Sequence, residues 1–80
     1  MELHEHLEQV RDADTFLSFA RALAADKSTS SDWENTTIKA FLDGAISWAE
    51  SSDFGLDQGL LPSNPWRQFA VFLYCGKIYE

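Results

Sequence analysis

Residues 69–75 read Phe-Ala-Val-Phe-Leu-Tyr-Cys, an apolar run without a break, with Asn64-Pro65 ahead of it and Gly76 behind. Asparagine at an N-cap and proline in the first helical position start a helix, because proline has no N–H to leave unpaired. Glycine takes the left-handed conformation that ends one. The spacing predicts a helix from Pro65 that stops at Gly76, with 77–80 as a short tail. A helix apolar on every side belongs in the middle of a core or beneath a partner. A short buried strand near 70–79 is the alternative, since an unbroken apolar run fits both.

The rest of the chain has to cover that segment. Eighty residues make one domain, 1–80, with a small core that buries only about 60–65% of the surface of the unfolded chain. Phe16, Phe19, Ala20 and Leu23 recur at three- and four-residue steps and predict a helix over 13–26, capped by Asp12 or Asp14. Ile38, Phe41, Leu42, Ala45, Trp48 and Ala49 predict another over 36–51, with Asn35 as its N-cap. Gly44 inside it costs about 1 kcal/mol relative to alanine, which fits a place where another helix or an aromatic ring comes close. Leu3, Leu7 and Val10 mark a shorter helix within 2–10. The polar stretch KSTSSD at 27–32 reads as a loop between helices.

Residues 51–63 form a long connection carrying Phe54, Leu56, Leu60 and Leu61. It is expected to dock those side chains on the helices; the alternative is an apolar patch for a partner. The fold class is therefore all-α: a small single-domain bundle of three main helices with a short extra N-terminal helix. Its expected core is Phe16, Phe19, Leu23, Ile38, Phe41, Leu42, Trp48, Phe69 and Leu73.

Thirteen acidic residues against six basic ones give a net charge of −7. That balance argues against nucleic acid, whose phosphates call for a basic patch. No apolar run reaches the roughly 18 residues of a membrane span, so no membrane partner is expected. The opening MELHEHLEQV is acidic and broken by polar residues, unlike a secretory signal. A single cysteine, Cys75, cannot form an internal disulfide. Together these predict a cytoplasmic protein.

Candidate chemistry is thin. His4 and His6 flank Glu5, but side chains two apart on a helix diverge, and zinc-binding spacings are absent. A calcium loop counted from Asp53 needs glycine and glutamate where this chain has Gln58 and Asn64. Cys75 sits in the most apolar stretch and reads as a small inert hydrophobe. No phosphate-binding glycine loop or nucleophile elbow occurs. The expectation is a chain without catalytic residues, metal or cofactor: not an enzyme.

Binding signals are stronger. Arg67 falls in the first turn of the last helix, where the dipole disfavours a cation. It is expected to pair with Glu34, Glu50 or Glu80, or else to hold an anion or a partner's carboxylate together with Asn64. Trp33 and Trp66 suit either helix staples or interface anchors. Trp33, Asn35, Asn64, Trp66, Arg67 and Tyr79 are the candidate partner-binding residues. The expected function is a non-enzymatic interaction module, an immunity-type inhibitor or adaptor whose acidic surface steers it to a basic protein partner. A homodimeric structural protein is the alternative, and a small metal-binding protein is the third reading.

The segments SDWENTTIKAFLDGAISWAE and NPWRQFAVFLYCGKIYE, with DTFLSFARAL at 14–23, resemble a family of small bacterial proteins known only as a domain of unknown function. The resemblance covers roughly 13–80 and is sharpest at 33–35 and 64–80. It implies a bacterial, intracellular, mostly helical domain, and it transfers no catalytic residue.

Overall fold

The computed structural model describes residues 2–79. Four helices follow in order: α1 (Leu3–Glu8), α2 (Ala13–Thr29), α3 (Ile38–Ser52) and α4 (Pro65–Ile78), with one 3-10 turn at Leu56–Gln58. Residues 70–78 lie in α4 and Tyr79 is extended, and no strand occurs among the described residues.

Each long helix starts on a side-chain cap. Asp12 Oδ1 accepts the Thr15 N–H at 2.9 Å, and Thr15 Oγ1 accepts the Asp12 N–H at 3.0 Å, a reciprocal box that fixes the start of α2. Asn64 Oδ1 accepts the Arg67 N–H at 3.2 Å at the start of α4, as Asn-Pro predicts. At α3 the cap is Thr37, whose Oγ1 accepts the Ala40 N–H at 3.1 Å. Asn35, expected to cap α3, is engaged elsewhere.

α4 is the central element. α3 packs along one side of it and α1 with α2 along the other, while α2 and α3 do not pack helix to helix. The result is a slab of 33 × 27 × 15 Å, about one helix thick. α4 also runs through Gly76 to Ile78 rather than stopping at the glycine. A Cβ at Gly76 would lie 2.7 to 2.9 Å from three atoms of the Phe41 ring. Glycine is there to let α3 come close, and the helix continues past it.

That close approach decides which residues are inside. α3 turns Gly44, Ala45, Trp48, Ala49 and Ser52 inward. On the other side, Val10, Phe19, Leu23 and Ala70 form a buried cluster, with Phe16, Phe41 and Leu73 packed against it. Of the expected core, Phe19, Leu23 and Trp48 are buried and Phe16, Phe41 and Leu73 half-buried. Ile38, Leu42 and Phe69 are exposed instead. Small residues fill the narrow α3–α4 seam, so the large residues of α3 fall on its flank. Phe69 is exposed because α4 has neighbours on two sides only. Phe69 and Ile78 lie about 180° apart round the helix, and both remain open to solvent.

The 51–63 connection docks in part. Three consecutive left-handed residues, Asp53, Phe54 and Gly55, turn it back on the bundle. Phe54 stacks on Phe72 at 5.4 Å and meets the edge of Trp48 at 6.0 Å. Trp48 Nε1 donates to Gln58 Oε1 at 2.8 Å, which satisfies the polar end of a buried ring. Leu61 stays in solvent at 64% exposure. Among the described residues no helix is long and apolar enough to cross a membrane.

Candidate functional site

The six residues expected to bind a partner divide between the two ends of α4. At its C-terminal end, helical carbonyls are left without intrahelical donors. The segment 33–35 supplies them. The N–H groups of Glu34 and Asn35 donate to the Lys77 carbonyl at 3.1 and 3.2 Å. Asn35 Nδ2 donates to the Gly76 carbonyl at 2.9 Å and the Tyr79 carbonyl at 2.8 Å. Asn35 thus caps a helix 41 residues further along. Gly44 completes the joint: a Cβ there would collide with the Tyr79 carbonyl oxygen and lie 2.7 Å from Asn35 Nδ2. Tyr79 adds a hydroxyl 3.0 Å from Ser51 Oγ.

Lys77 lies beside this joint. It is only 6% exposed, and its ammonium reaches Asp26 at 2.8 Å and Asp32 at 3.3 Å. Trp33 Nε1 donates to the same Asp26 carboxylate at 2.8 Å. The Trp33 ring stacks on Phe41, centroids 6.0 Å apart, with the Lys77 and Lys27 ammonium groups each 5.8 Å from its centroid. Ser30 donates a short hydrogen bond to Asp32. The Lys77 hydrogen bond, then that of Trp33, holds the Asp26 carboxyl below the usual range. For Asp32 the Ser30 hydrogen bond leads and Lys77 follows. Burial pushes Lys77 down, but its bonds to Asp26 and Asp32 outweigh that and leave it raised.

The pH dependence follows from these directions. Depressed carboxylates stabilise the fold above their unfolded pKa, and that contribution is lost as pH falls through their folded values. A raised lysine contributes fully below its unfolded pKa and loses its contribution as pH rises through the folded one. Stability in urea is therefore expected to be level from about pH 8 to about pH 5 and to fall progressively below about pH 4. Lys77→Met should make the acid fall shallower; an identical slope would detach the lysine from it.

At the other end of α4, Asn64 Nδ2 donates to the Val10 carbonyl at 3.0 Å and Arg67 Nη1 to the Glu8 carbonyl at 3.2 Å. Arg67 makes no ion pair with Glu34 or Glu50; Glu80 lies outside the described residues. Its charge meets the carbonyl of the last residue of α1, where a helix end favours a cation. Arg67 Nε is buried without a partner. Trp66 is exposed and packs between Phe16 at 5.6 Å and Phe69 at 6.2 Å.

A surface not anticipated as a site lies on α3. Ile38, Leu42 and Ile46, at four-residue steps, are 81%, 43% and 46% exposed. Burying one such side chain fully is worth about 1.5–3 kcal/mol, so this ridge leaves stabilisation unused in the single chain. Beside it is an apolar concavity of about 390 Å³ walled by Trp33, Ile38, Phe41 and Leu42, with Lys27 and Asn35 at its edge. The signal was present in the sequence. Gly44, Ala45, Ala49 and Ser52 recur at helical spacing with Trp48 and make a close-packing face, which leaves 38, 42 and 46 outside.

The arrangement can bury an apolar surface. Lys27 is the one titratable side chain lining the concavity. Cys75 is half-buried, and burial pushes its thiol up to about 11. Among the described residues no group of three or more histidines, cysteines and carboxylates could hold a metal ion.

Fold and joint together define the class: an all-α bundle whose central helix is tied at both ends by hydrogen bonds to segments distant in sequence. The chain belongs to the Family of unknown function (DUF7660), whose model matches residues 12–80. Comparison with curated proteins and with solved structures gives no match. The segments that carried the sharpest resemblance, 33–35 and 64–80, include both halves of the joint at the end of α4.

Proposed function

We propose that this chain is a non-enzymatic protein-interaction module of the bacterial cytoplasm, and that it works by burying the α3 ridge and the adjoining concavity against another protein surface. The observation that carries this reading is the ridge itself: large apolar side chains at regular spacing on a rigid helix, beside an apolar hollow. Trp33 and Asn35 belong to that surface as walls of the hollow. Trp66, exposed at 37%, is a second aromatic available to a partner. Asn64, Arg67 and Tyr79 hold the bundle together and would act on a partner through the shape they maintain. The net charge of −7 favours approach by basic proteins. Close to the ridge, however, Lys39 and Asp43 neutralise each other at 2.7 Å, so local charge does not oppose an uncharged or mixed surface.

Affinity capture from the lysate of the native organism tests this, with wild-type bait beside Ile38→Asp/Ile46→Ser bait. Both positions are solvent-facing, so the variant's stability should stay within about 1 kcal/mol of wild type. A stoichiometric protein retained by wild type and lost by the variant is the expected result. The same proteins retained on both baits would remove the ridge from the function.

A further inference from the structure

We infer that the partner seated on the α3 ridge is a second copy of this chain, packed antiparallel across a twofold axis at Leu42, with Ile46 of each copy entering the concavity of the other. This rests on the interaction reading above and names its partner.

The ridge reads Ile38, Leu42, Ile46, the same in both directions. A twofold interface requires a patch that complements itself. Rotation about Leu42 sets Leu42 on Leu42 and lays Ile46 of the second copy over Ile38. Ile38 is a wall of the concavity, together with Trp33, Phe41 and Leu42. About 390 Å³ is ample for one isoleucine side chain. Knob and hollow are thus both supplied by each copy, and each is filled only when two copies meet. Rows at four-residue spacing pack on their like at a crossing of about −50°, which brings such ridges together near one point.

Charge supports the same partner. One helical turn beyond Ile46 stands Glu50, exposed. The same rotation carries it past Ile38 towards the edge of the concavity, where the charged residue is Lys27. Among the described residues neither Lys27 nor Glu50 has an ion-pair partner within its own chain. The pairing occurs twice by symmetry. Three ridge side chains and one hollow make a patch smaller than the roughly 800 Å² per partner of a standard interface, so the dimer is weak and depends on concentration. Two chains of charge −7 repel at long range, so added salt should hold or tighten the dimer, whereas a complex with a basic protein should loosen.

Sedimentation velocity on the purified chain, from about 10 μM to about 1 mM, is the test. A reversible monomer–dimer equilibrium is expected. Lys27→Glu and Glu50→Lys should each weaken it about tenfold, and an equal mixture of the two should restore dimer, because each charge then faces its opposite. Lys27 and Glu50 are exposed, and because Lys27 also stands over Trp33 in the last turn of α2, a thermal melt of each variant separates lost folding from a lost dimer. Ile46→Ser should weaken it by a similar factor. A monomer at every concentration overturns the inference, and so does a dimer indifferent to all three substitutions or a mixture that fails to recover. If the chain is monomeric while wild-type bait still captures a different protein that ridge-substituted bait loses, the dimer falls and the interaction reading stands. If capture is also indifferent to the ridge, both fall.

Discussion

Asn35→Ala should lower the stability of the fold by about 2–3 kcal/mol, the cost of two lost hydrogen bonds and two carbonyls left short of a donor. Those carbonyls belong to Gly76 and Tyr79, at the far end of the chain. Loss of an ordinary N-cap would cost about 1 kcal/mol and loosen the helix that follows it. Here the damage should appear elsewhere. Hydrogen exchange should show the amides of the last turn of α4 losing protection first, while the first turn of α3, capped by Thr37, keeps its own. Asn35→Asp should do no better, because a carboxylate cannot donate and faces two carbonyl oxygens. Loss of protection confined to the first turn of α3 would return Asn35 to the capping role that the sequence suggests.

Gly76→Ala should cost about 2 kcal/mol even though alanine is the better helix former by about 1 kcal/mol. The new methyl would meet three Phe41 ring atoms at 2.7 to 2.9 Å. That ring is stacked on Trp33 at 6.0 Å and could give way only towards the hollow it walls, at the cost of that stack. In a chain of this size the loss corresponds to a fall of roughly 10 °C in Tm. Phe41→Leu placed in the Gly76→Ala background should recover part of it, since the smaller side chain vacates the space. Additive effects in that double variant, or a raised Tm in the single one, would mean that the ring does not set the requirement for glycine.

These two positions show how far the sequence could be read. Period and cap chemistry located the helices to within a few residues, because both are local properties of the chain. Asn64-Pro65 started α4 as expected. Asn35 and Gly76 misled for one reason: each has the residue type of a helix terminus, yet each serves a contact with a segment about 40 residues away. Local rules cannot separate those uses. The core departs from the sequence pattern in a related way. Large apolar residues predict a core of their own, while the α3–α4 seam is built from Gly44, Ala45, Ala49 and Gly76, which permit close approach. Ile38, Leu42 and Phe69 were displaced to the surface as a result. The same displacement produced the candidate site. Of the residues proposed for binding, Trp33 and Asn35 border the hollow, while the ridge follows only when the small residues of α3 are taken as its buried face.

The central position of α4 governs the order in which the protein can come into being. α2 and α3 do not pack on each other, and each rests on a helix that follows them in the chain. As the polypeptide leaves the ribosome, α1 and α2 can form a hairpin, but α3 emerges with nothing to cover its inner face. The Lys77 carbonyl that receives residues 34 and 35 emerges later still. Until α4 is in place, the chain displays Trp48 and the α3 ridge together. Completion of the bundle therefore waits on α4, and the interval before it is when a chaperone would meet this protein.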